Sequence, residues 1–367
     1  MINENQPPSA LWVWGKSLLP LIIGIGFALF LYALQQQNPR SFGLKLTSDV
    51  GIAIILAVSL NIVNGFTGQL HLGHAAFMAI GGYVTGMVTY YGSLMIWETT
   101  VKQPGFLGSG ELLFIGGLLL GGSVAALLGW LLGLPSLRLR GDYLAIVTLG
   151  FGEIVRVMFQ NTKPVISTAA ALKEASTPEM LNSLGGALGF LGLPSYTNLF
   201  TIYVFVTIVL LVAYRLKYSS TGRAFFSVRQ DEISAEAMGV NTAKYKVRAF
   251  VIAAFFAGIA GGLYAHMLGT SLTPRELAFN KSVEVVIIVV LGGMGSISGS
   301  VLAAILLTLL PETLRDFSQY RMIIYSLLLI GMMLLRPQGL FGLNEIDDVY
   351  RWLKKRFFNT PTKEPSS

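Results

Sequence analysis

Long apolar runs constrain this chain more than any other feature of its sequence. An α-helix needs about 20 residues to cross the hydrocarbon core of a membrane, and seven stretches of the 367-residue chain approach or exceed that length. They lie at 17–34, 49–66, 74–91, 112–134, 143–160, 199–217 and 247–268. With 53% hydrophobic and 12% charged residues, the chain has more apolar surface than one soluble core can bury. The sequence therefore predicts an all-α polytopic membrane protein.

Two further apolar regions follow, and the first is broken by glycines. The region 283–310 contains Gly292, Gly293, Gly295 and Gly299, and a last run covers 321–335. If both termini are cytoplasmic, the chain after residue 268 must cross an odd number of times. We therefore expect 283–293 and 297–310 to form a pair of half-helices, giving about 8–10 transmembrane segments in all.

The basic residues indicate orientation. The net charge of +7 could indicate nucleic-acid binding, but the charges gather at the ends of apolar runs and in a few loops, which favours topology and no nucleic-acid partner. The densest basic segments are 215–248 and the tail after 350, and the loop with Arg138 and Arg140 fits the same side. We expect a cytoplasmic N-terminus (1–16), a transmembrane domain (17–336) with an external loop at 161–198, and a cytoplasmic tail (337–367).

Another glycine-broken segment, residues 65–74, lies in the first half of the chain, between the second and third apolar runs. Non-helical backbone at membrane depth is tolerated where it is buried in protein or lines a cavity, and a broken segment in each half is typical of a central pathway. The alternative is a tight cytoplasmic turn at 65–73 and close glycine packing at 292–299. The candidate pathway residues in the two segments are Gly65, Gly68, Gln69, Gly73, His74, Gly292, Gly293 and Gly295.

Few residues suit covalent or metal chemistry. There are no cysteines, and the three histidines are too scattered for a metal cluster, so we predict no metal site. Glu153 lies within an apolar run and joins the pathway candidates, because charges inside a membrane are costly. Arg156 follows at i+3 and can pair with it on one helix face, which is the structural alternative.

The cytoplasmic segment 218–246 contains a predicted short helix from Asp231 to Met238. Asp231 and Glu232 suit the positive N-terminal end of a helix, and Gly239 suits its C-cap. An apolar face formed by Ile233, Ala237 and Met238 would dock on a partner or lie on the membrane surface. The chain has no G-x-x-x-x-G-K-[ST] phosphate-binding loop, so it is not expected to hydrolyse ATP by itself.

The pattern Glu232, Ala235 and Gly239 resembles the loop by which permeases of ABC importers contact their ATPase. Four stretches resemble, in order, the LivM-type permeases of branched-chain amino acid ABC importers: 60–77, 137–153, 292–299 and 335–341. The resemblance assigns ATPase coupling to residues of segment 218–246: Gly222, Arg223, Arg229, Asp231, Glu232, Ala235, Glu236 and Gly239.

The resemblance also implies an assembly and a location. The partners would be a second permease subunit of the LivH type, two ABC ATPase subunits and an extracytoplasmic substrate-binding protein. No cofactor is expected on this chain, because ATP and Mg would bind the ATPase. The substrate would be a branched-chain or other neutral amino acid, although relatives carry urea or short amides. The location would be the bacterial cytoplasmic (inner) membrane, and the chain a transport subunit rather than an enzyme.

Two other functions compete with this interpretation. An ion-coupled secondary transporter would also use broken helices, but it predicts buried acidic groups, and Glu153 is the only mid-span acid. It also leaves segment 218–246 unexplained. A passive channel predicts a repeated filter or a ring of like charges, and the sequence has neither. The permease interpretation is therefore preferred.

Overall fold

A computed structural model describes residues 10–37, 41–106, 108–136, 142–269 and 271–314, with isolated positions between 320 and 345. The loop with Arg138 and Arg140, most of the run 321–335 and nearly all of the tail lie outside the described residues, as does the start of the N-terminus. The predictions made for those parts therefore remain predictions.

The described chain is helical apart from two short strands. Its elements, in order, are α1 Ala10–Gln37, α2 Phe42–Asn61 with a π-helical extension Ile62–Phe66, α3 His74–Trp97, α4 Ser109–Ser136, α5 Asp142–Gln160, α6 Ala169–Glu174, α7 Thr177–Asn182, a 3₁₀ turn Gly186–Leu188, β1 Phe190–Leu191, α8 Leu199–Lys217, α9 Ser220–Gln230, α10 Glu232–Ala237, α11 Thr242–Leu268, β2 Ser271–Leu272, α12 Phe279–Gly292 and α13 Ile297–Thr313. The predicted all-α membrane fold is confirmed.

Six of the described helices are long and apolar enough to cross a membrane: α1, α2 with its extension, α4, α5, α8 and α11. The predicted span at 74–91 forms α3, which has 24 residues but is not among the six. Its interior holds polar side chains such as Thr85 and Thr89, both buried. Helix α3 therefore lies inside the protein, between other helices.

Small residues set how closely the central helices α3, α4 and α11 pack. A methyl group added at Gly81 of α3 would lie 2.1 Å from the carbonyl oxygen of Gly258 in α11. One added at Gly261 would lie 1.8 Å from the carbonyl oxygen of Met78. Without a hydrophobic drive between helices in lipid, such backbone-to-backbone approach is the main source of packing energy.

The predicted glycine hairpin forms as α12 and α13. The turn between them begins at Gly293 (φ 103°) and includes Gly295 (φ 92°), a backbone region in which residues with a Cβ are strained. A methyl group at Gly292 would lie 2.5 Å from the carbonyl oxygen of Gly299, so the two helices touch at once after the turn. This contact is the close glycine packing that the sequence left open as an alternative.

The helix ends separate into two faces. Helices α2 and α8 run parallel, since the Tyr203 hydroxyl near the start of α8 donates to the Thr47 carbonyl near the start of α2 at 3.2 Å. The ends of both helices, α9, α10 and the α12–α13 turn therefore share one face. The loop 161–198 lies at the other face, where β1 pairs antiparallel with β2 through Phe190 and Leu272.

Candidate functional site

Segment 218–246 contains two helices, although the sequence predicted only one. Helix α9 is capped by Ser219, whose Oγ accepts from the Gly222 amide at 3.1 Å. Gly222 is buried, and a methyl group there would lie 2.1 Å from the Leu216 carbonyl oxygen at the end of α8. Helix α9 is therefore packed directly on the end of a membrane span.

The predicted short helix is α10, from Glu232 to Ala237, with Asp231 as its cap. The Asp231 carboxylate accepts from the Ser234 hydroxyl and from the amides of Ser234 and Ile233, and these bonds hold its pKa below the ordinary value. Gly239 (φ 84°) closes the other end, where its amide donates to the Glu236 carbonyl at 2.9 Å. The capping prediction at both ends is correct.

The apolar residues of this helix face outward. Ile233 is 65% exposed and Met238 is 86% exposed, and Ala237 between them is also exposed. We call these three residues the docking face. Leaving large apolar side chains in water is unfavourable, so a protruding apolar tip indicates a contact surface.

The opposite side of α10 is fixed to the protein. Glu232 forms an ion pair with the buried Lys246 of α11, and Glu236 accepts a hydrogen bond from the Thr242 hydroxyl. Ala235 is buried between these contacts. One side of α10 is therefore bonded to α11, while the docking face on its other side stays exposed.

Arg229, the last basic residue of α9, joins the two glycine-broken segments. Its Nη1 donates to the Gly65 carbonyl at 2.6 Å and to the Met294 carbonyl at 3.2 Å. Its burial lowers the pKa of the guanidinium, which nevertheless stays charged. Gly68 (φ 70°) lies against the same side chain, because a methyl group there would be 2.7 Å from Arg229 Cγ.

The two broken segments also contact each other directly. We call residues 62–73 the first broken segment and 293–296 the second. Asn61, just before the first, accepts from the Gly295 amide and donates to the Ser296 carbonyl, both at 2.8 Å. A methyl group at Gly65 would lie 2.5 Å from the Gly295 nitrogen. Gly65, Gly68, Gly293, Gly295 and Arg229 thus belong to one junction.

Two residues of this junction escaped the sequence analysis. Lys217 donates to the Gly295 carbonyl at 2.8 Å and pairs with Glu345. Glu345 accepts from the amides of Ile297 and Ser298 at the start of α13, each at 2.9 Å. Burial opposes its ionisation, but the bonds from Lys217 and Ser298 outweigh burial and lower its pKa. Neither residue has a local signal, since their contacts join parts of the chain far apart in sequence.

The first broken segment turns back into the protein. Helix α3 starts at His74, whose Nε2 lies 3.0 Å from the Ser59 hydroxyl of α2. Ser59 precedes the end of the π-extension at Phe66 by about two turns, or roughly 10 Å. The start of α3 is held by Ser282 of α12, which accepts from the Ala75 amide at 3.0 Å. The start of α3 is therefore enclosed by α2 and α12. Enclosure by protein is the condition under which the non-helical backbone before it is tolerated at membrane depth.

The first broken segment and the residue after it contain buried polar atoms without a hydrogen-bond partner among the described residues. These atoms are Asn64 Nδ2, Gln69 Oε1, both ring nitrogens of His71, and His74 Nδ1. Buried polar groups are nearly always paired, so such a group indicates a place for water or a polar ligand. His71 itself is enclosed by aromatic rings, with ring centroids 5.6 Å from Phe77 and 5.0 Å from Phe250. The approach of Gly73 to Thr148 of α5, 2.3 Å for an added methyl group, closes the other side.

Helix α5 carries the predicted ion pair on a partly open face. Arg156 Nε donates to Glu153 Oε2 at 2.7 Å, so the predicted pairing is confirmed, and Arg156 also donates to Gln160. Among the described residues, nothing lies within 4 Å of a methyl group added at Gly150 or Gly152. Because a charged pair is costly against lipid tails, this face suits contact with protein or water.

The membrane spans, the inward-turning segment and the anchored docking helix together define a transport subunit of a membrane. The chain belongs to the family of permease components of branched-chain amino acid transport systems, whose family model matches residues 43–336. This confirms the family that the sequence motifs indicated. As a permease component of an ABC system, the chain serves transport and not catalysis.

Curated relatives agree with this assignment. The chain is 39% identical over 305 residues to the high-affinity branched-chain amino acid transport system permease protein LivM of Escherichia coli K12, and 37% identical to that of Salmonella typhimurium. Each match covers 79% of this chain and 67% of the relative. The E. coli permease protein LivH is 25% identical, over 87% of this chain and 99% of its own length. No solved structure matches the chain.

Proposed function

We propose that this chain forms part of the translocation pathway of an ABC importer for branched-chain or other neutral amino acids. It pairs with a second permease of the LivH type, two ATPase subunits that bind ATP and Mg, and an extracytoplasmic substrate-binding protein. The matches to both LivM and LivH proteins support a two-permease assembly. Uptake of labelled leucine, with other neutral amino acids and urea as competitors, tests the substrate class.

The observation that carries this proposal is the connection from the docking face to both broken segments. The ATPase contacts Ile233 and Met238, which protrude from α10. Helix α10 follows α9 directly after Asp231. Arg229 of α9 donates hydrogen bonds to the carbonyls of Gly65 and Met294. A movement of the ATPase therefore reaches both broken segments through one guanidinium. Gly222, Arg223, Asp231, Glu232, Ala235, Glu236 and Gly239 build or border this connection.

Within the pathway, the first broken segment and α5 contribute the lining in this proposal. Two observations support this lining. Gln69 and His74 have buried polar atoms without a partner among the described residues, and the Glu153–Arg156 ion pair is partly exposed. Gly73 sets the distance between this segment and α5. The contacts of Gly292 instead favour the close-packing alternative, so Gly292, Gly293 and Gly295 act as a fixed support beside the pathway.

A charge placed on the docking face tests the coupling role. Met238→Asp should prevent the ATPase subunits from co-purifying, because an apolar contact cannot bury a carboxylate cheaply. Leu188→Asp makes the same change at an apolar residue that is 76% exposed on the opposite face, and it should leave co-purification unchanged. Equal ATPase recovery from both variants would refute the assignment of the docking face.

Single cysteines test the proposed orientation, since the natural chain has none. With the N- and C-termini and α10 cytoplasmic, a membrane-impermeant maleimide applied to intact spheroplasts should label Leu188→Cys and spare Met238→Cys. In a chain expressed without the ATPase subunits, both should react after the membrane is opened. Labelling of Met238→Cys in intact spheroplasts would reverse the topology and place 161–198 inside.

A further inference from the structure

An open groove lies between the end of α4, the end of α8 and the start of α11. It is on the same face of the protein as the docking face of α10. Its volume is about 600 Å³. Its walls are apolar and are formed mainly by Trp130, Leu134, Leu216, Val247, Val251 and Ile252. None of these residues belongs to the junction around Arg229, so the groove is separate from the site described above.

The mouth of the groove is basic. Lys244 and Arg248 lie one turn apart at the start of α11, and both are exposed. Arg248 also lies 5.5 Å from the centre of the Tyr245 ring, a cation–π contact that holds the guanidinium at the mouth. None of the described residues that line the groove is acidic.

The groove deepens along the membrane normal. Val251 and Ile252 follow Lys244 by about two turns of α11, which places them roughly 10 Å further into the apolar zone. Trp130 on α4 is half-exposed beside them and also lines the groove. The basic mouth would match the charged headgroup of a phospholipid, and the apolar walls below it would match the acyl chains.

We propose that this groove binds an anionic phospholipid from the adjacent leaflet. Lys244 and Arg248 bind the phosphate, and the acyl chains lie along Val247, Val251 and Ile252. Basic pockets between spans on the cytoplasmic side of membranes select anionic headgroups in this way. Thr221, in the first turn of α9, also lines the groove, so the headgroup contacts the segment that couples the permease to its ATPase.

Quenching of Trp130 fluorescence tests the site. The assembled transporter would be reconstituted in phosphatidylcholine nanodiscs with either brominated phosphatidylglycerol or brominated phosphatidylcholine. The chain has five tryptophans. Quenching at the groove is therefore measured as the part of the total quenching that is seen in the natural chain and lost in Trp130→Phe. We expect phosphatidylglycerol to bind about tenfold more tightly or better, and this preference should weaken with salt.

Charge removal completes the test. Lys244→Gln with Arg248→Gln should abolish the preference for phosphatidylglycerol. The matched control, Lys163→Gln with Lys173→Gln, removes the same charge from the loop 161–198 and should preserve it. The proposal is overturned if both lipids quench Trp130 equally, if the first pair of substitutions retains the preference, or if no lipid reaches Trp130 because a protein subunit covers the groove. If the first double variant misfolds, the salt dependence in the natural chain decides.

Discussion

The two glycine-broken segments of this permease look alike in sequence and differ in structure. The second, 293–296, leaves no buried side-chain polar atom without a partner among the described residues. Ser296 caps α13, Glu345 accepts from the amides of Ile297 and Ser298 just beyond the segment, and Gly292 just before it touches Gly299. The first, 62–73, leaves buried polar atoms of Asn64, Gln69 and His71 without partners among the described residues. Glycine therefore permits close packing in both segments, and the two segments differ in whether their buried polar side chains are paired.

In the proposed function, this difference makes the second segment a support and the first a moving part. Interiors with satisfied bonds and close backbone contact resist rearrangement, while unpaired buried groups mark a site that gains by binding water or a ligand. Arg229 bridges the two segments, so the proposed coupling route passes through this residue. Three substitutions test this division, beginning with the residue that joins the two segments.

Arg229→Ala should have the largest effect, because it removes both bonds between α9 and the broken segments. We expect ATPase subunits to remain bound through the docking face, while amino acid uptake per ATP hydrolysed falls by about tenfold or more, the equivalent of about 1.4 kcal/mol of lost coupling. Arg229→Lys keeps the charge but not the planar fork and should retain part of the uptake. Normal uptake in Arg229→Ala would remove Arg229 from the coupling route.

Gly292→Ala should lower stability more than transport. The added methyl group would lie 2.5 Å from the Gly299 carbonyl oxygen, so α12 and α13 must separate, at a cost of about 1–3 kcal/mol. The matched control is Gly26→Ala in α1, where no atom of the described residues lies within 4 Å of the added methyl group. Thermal unfolding followed by size-exclusion chromatography in detergent measures both variants. Equal midpoints would mean that the second segment is not a tight support.

His71→Phe should have the smallest effect on stability and a selective effect on transport. The imidazole is buried against Phe77 and Phe250, and neither of its nitrogens has a partner among the described residues. An apolar ring should therefore leave the free energy of unfolding unchanged or raise it by up to about 1 kcal/mol. If the first segment lines the pathway, uptake falls in spite of this stability. A variant that loses stability would show that the imidazole has partners, and the contrast between the segments would disappear.

Local patterns in the sequence predicted much of this architecture. Run lengths located the spans, the glycines at 292–299 located the hairpin, and Asp231 and Gly239 located the ends of α10. Helix α9 was missed because Ser220–Gln230 has only a weak helical preference, and its fold depends on Gly222 and Phe225 packing against other helices. The predicted pairing of Glu153 and Arg156 succeeded because i, i+3 contacts are local.

The junction itself could not be predicted from any single stretch. Lys217 carried only a topological meaning in the sequence, and Glu345 carried none, although they meet across 128 positions. The environment of His71 likewise depends on rings from α3 and α11. Such contacts follow from how helices assemble in three dimensions, which periodicity and capping signals do not encode.

The hydrogen bonds of Asn61 have a consequence for how the chain is made. Its partner Gly295 is synthesised 234 residues later, after most of the spans have left the ribosome. The Asn61 side chain therefore lacks this partner until the turn between α12 and α13 has been synthesised. Arg229 gains its contact with Met294 at the same moment. The contacts that hold Asn61 and Arg229 to the turn between α12 and α13 can therefore form only after most of the chain has been made, and a chain truncated before residue 293 would lack them.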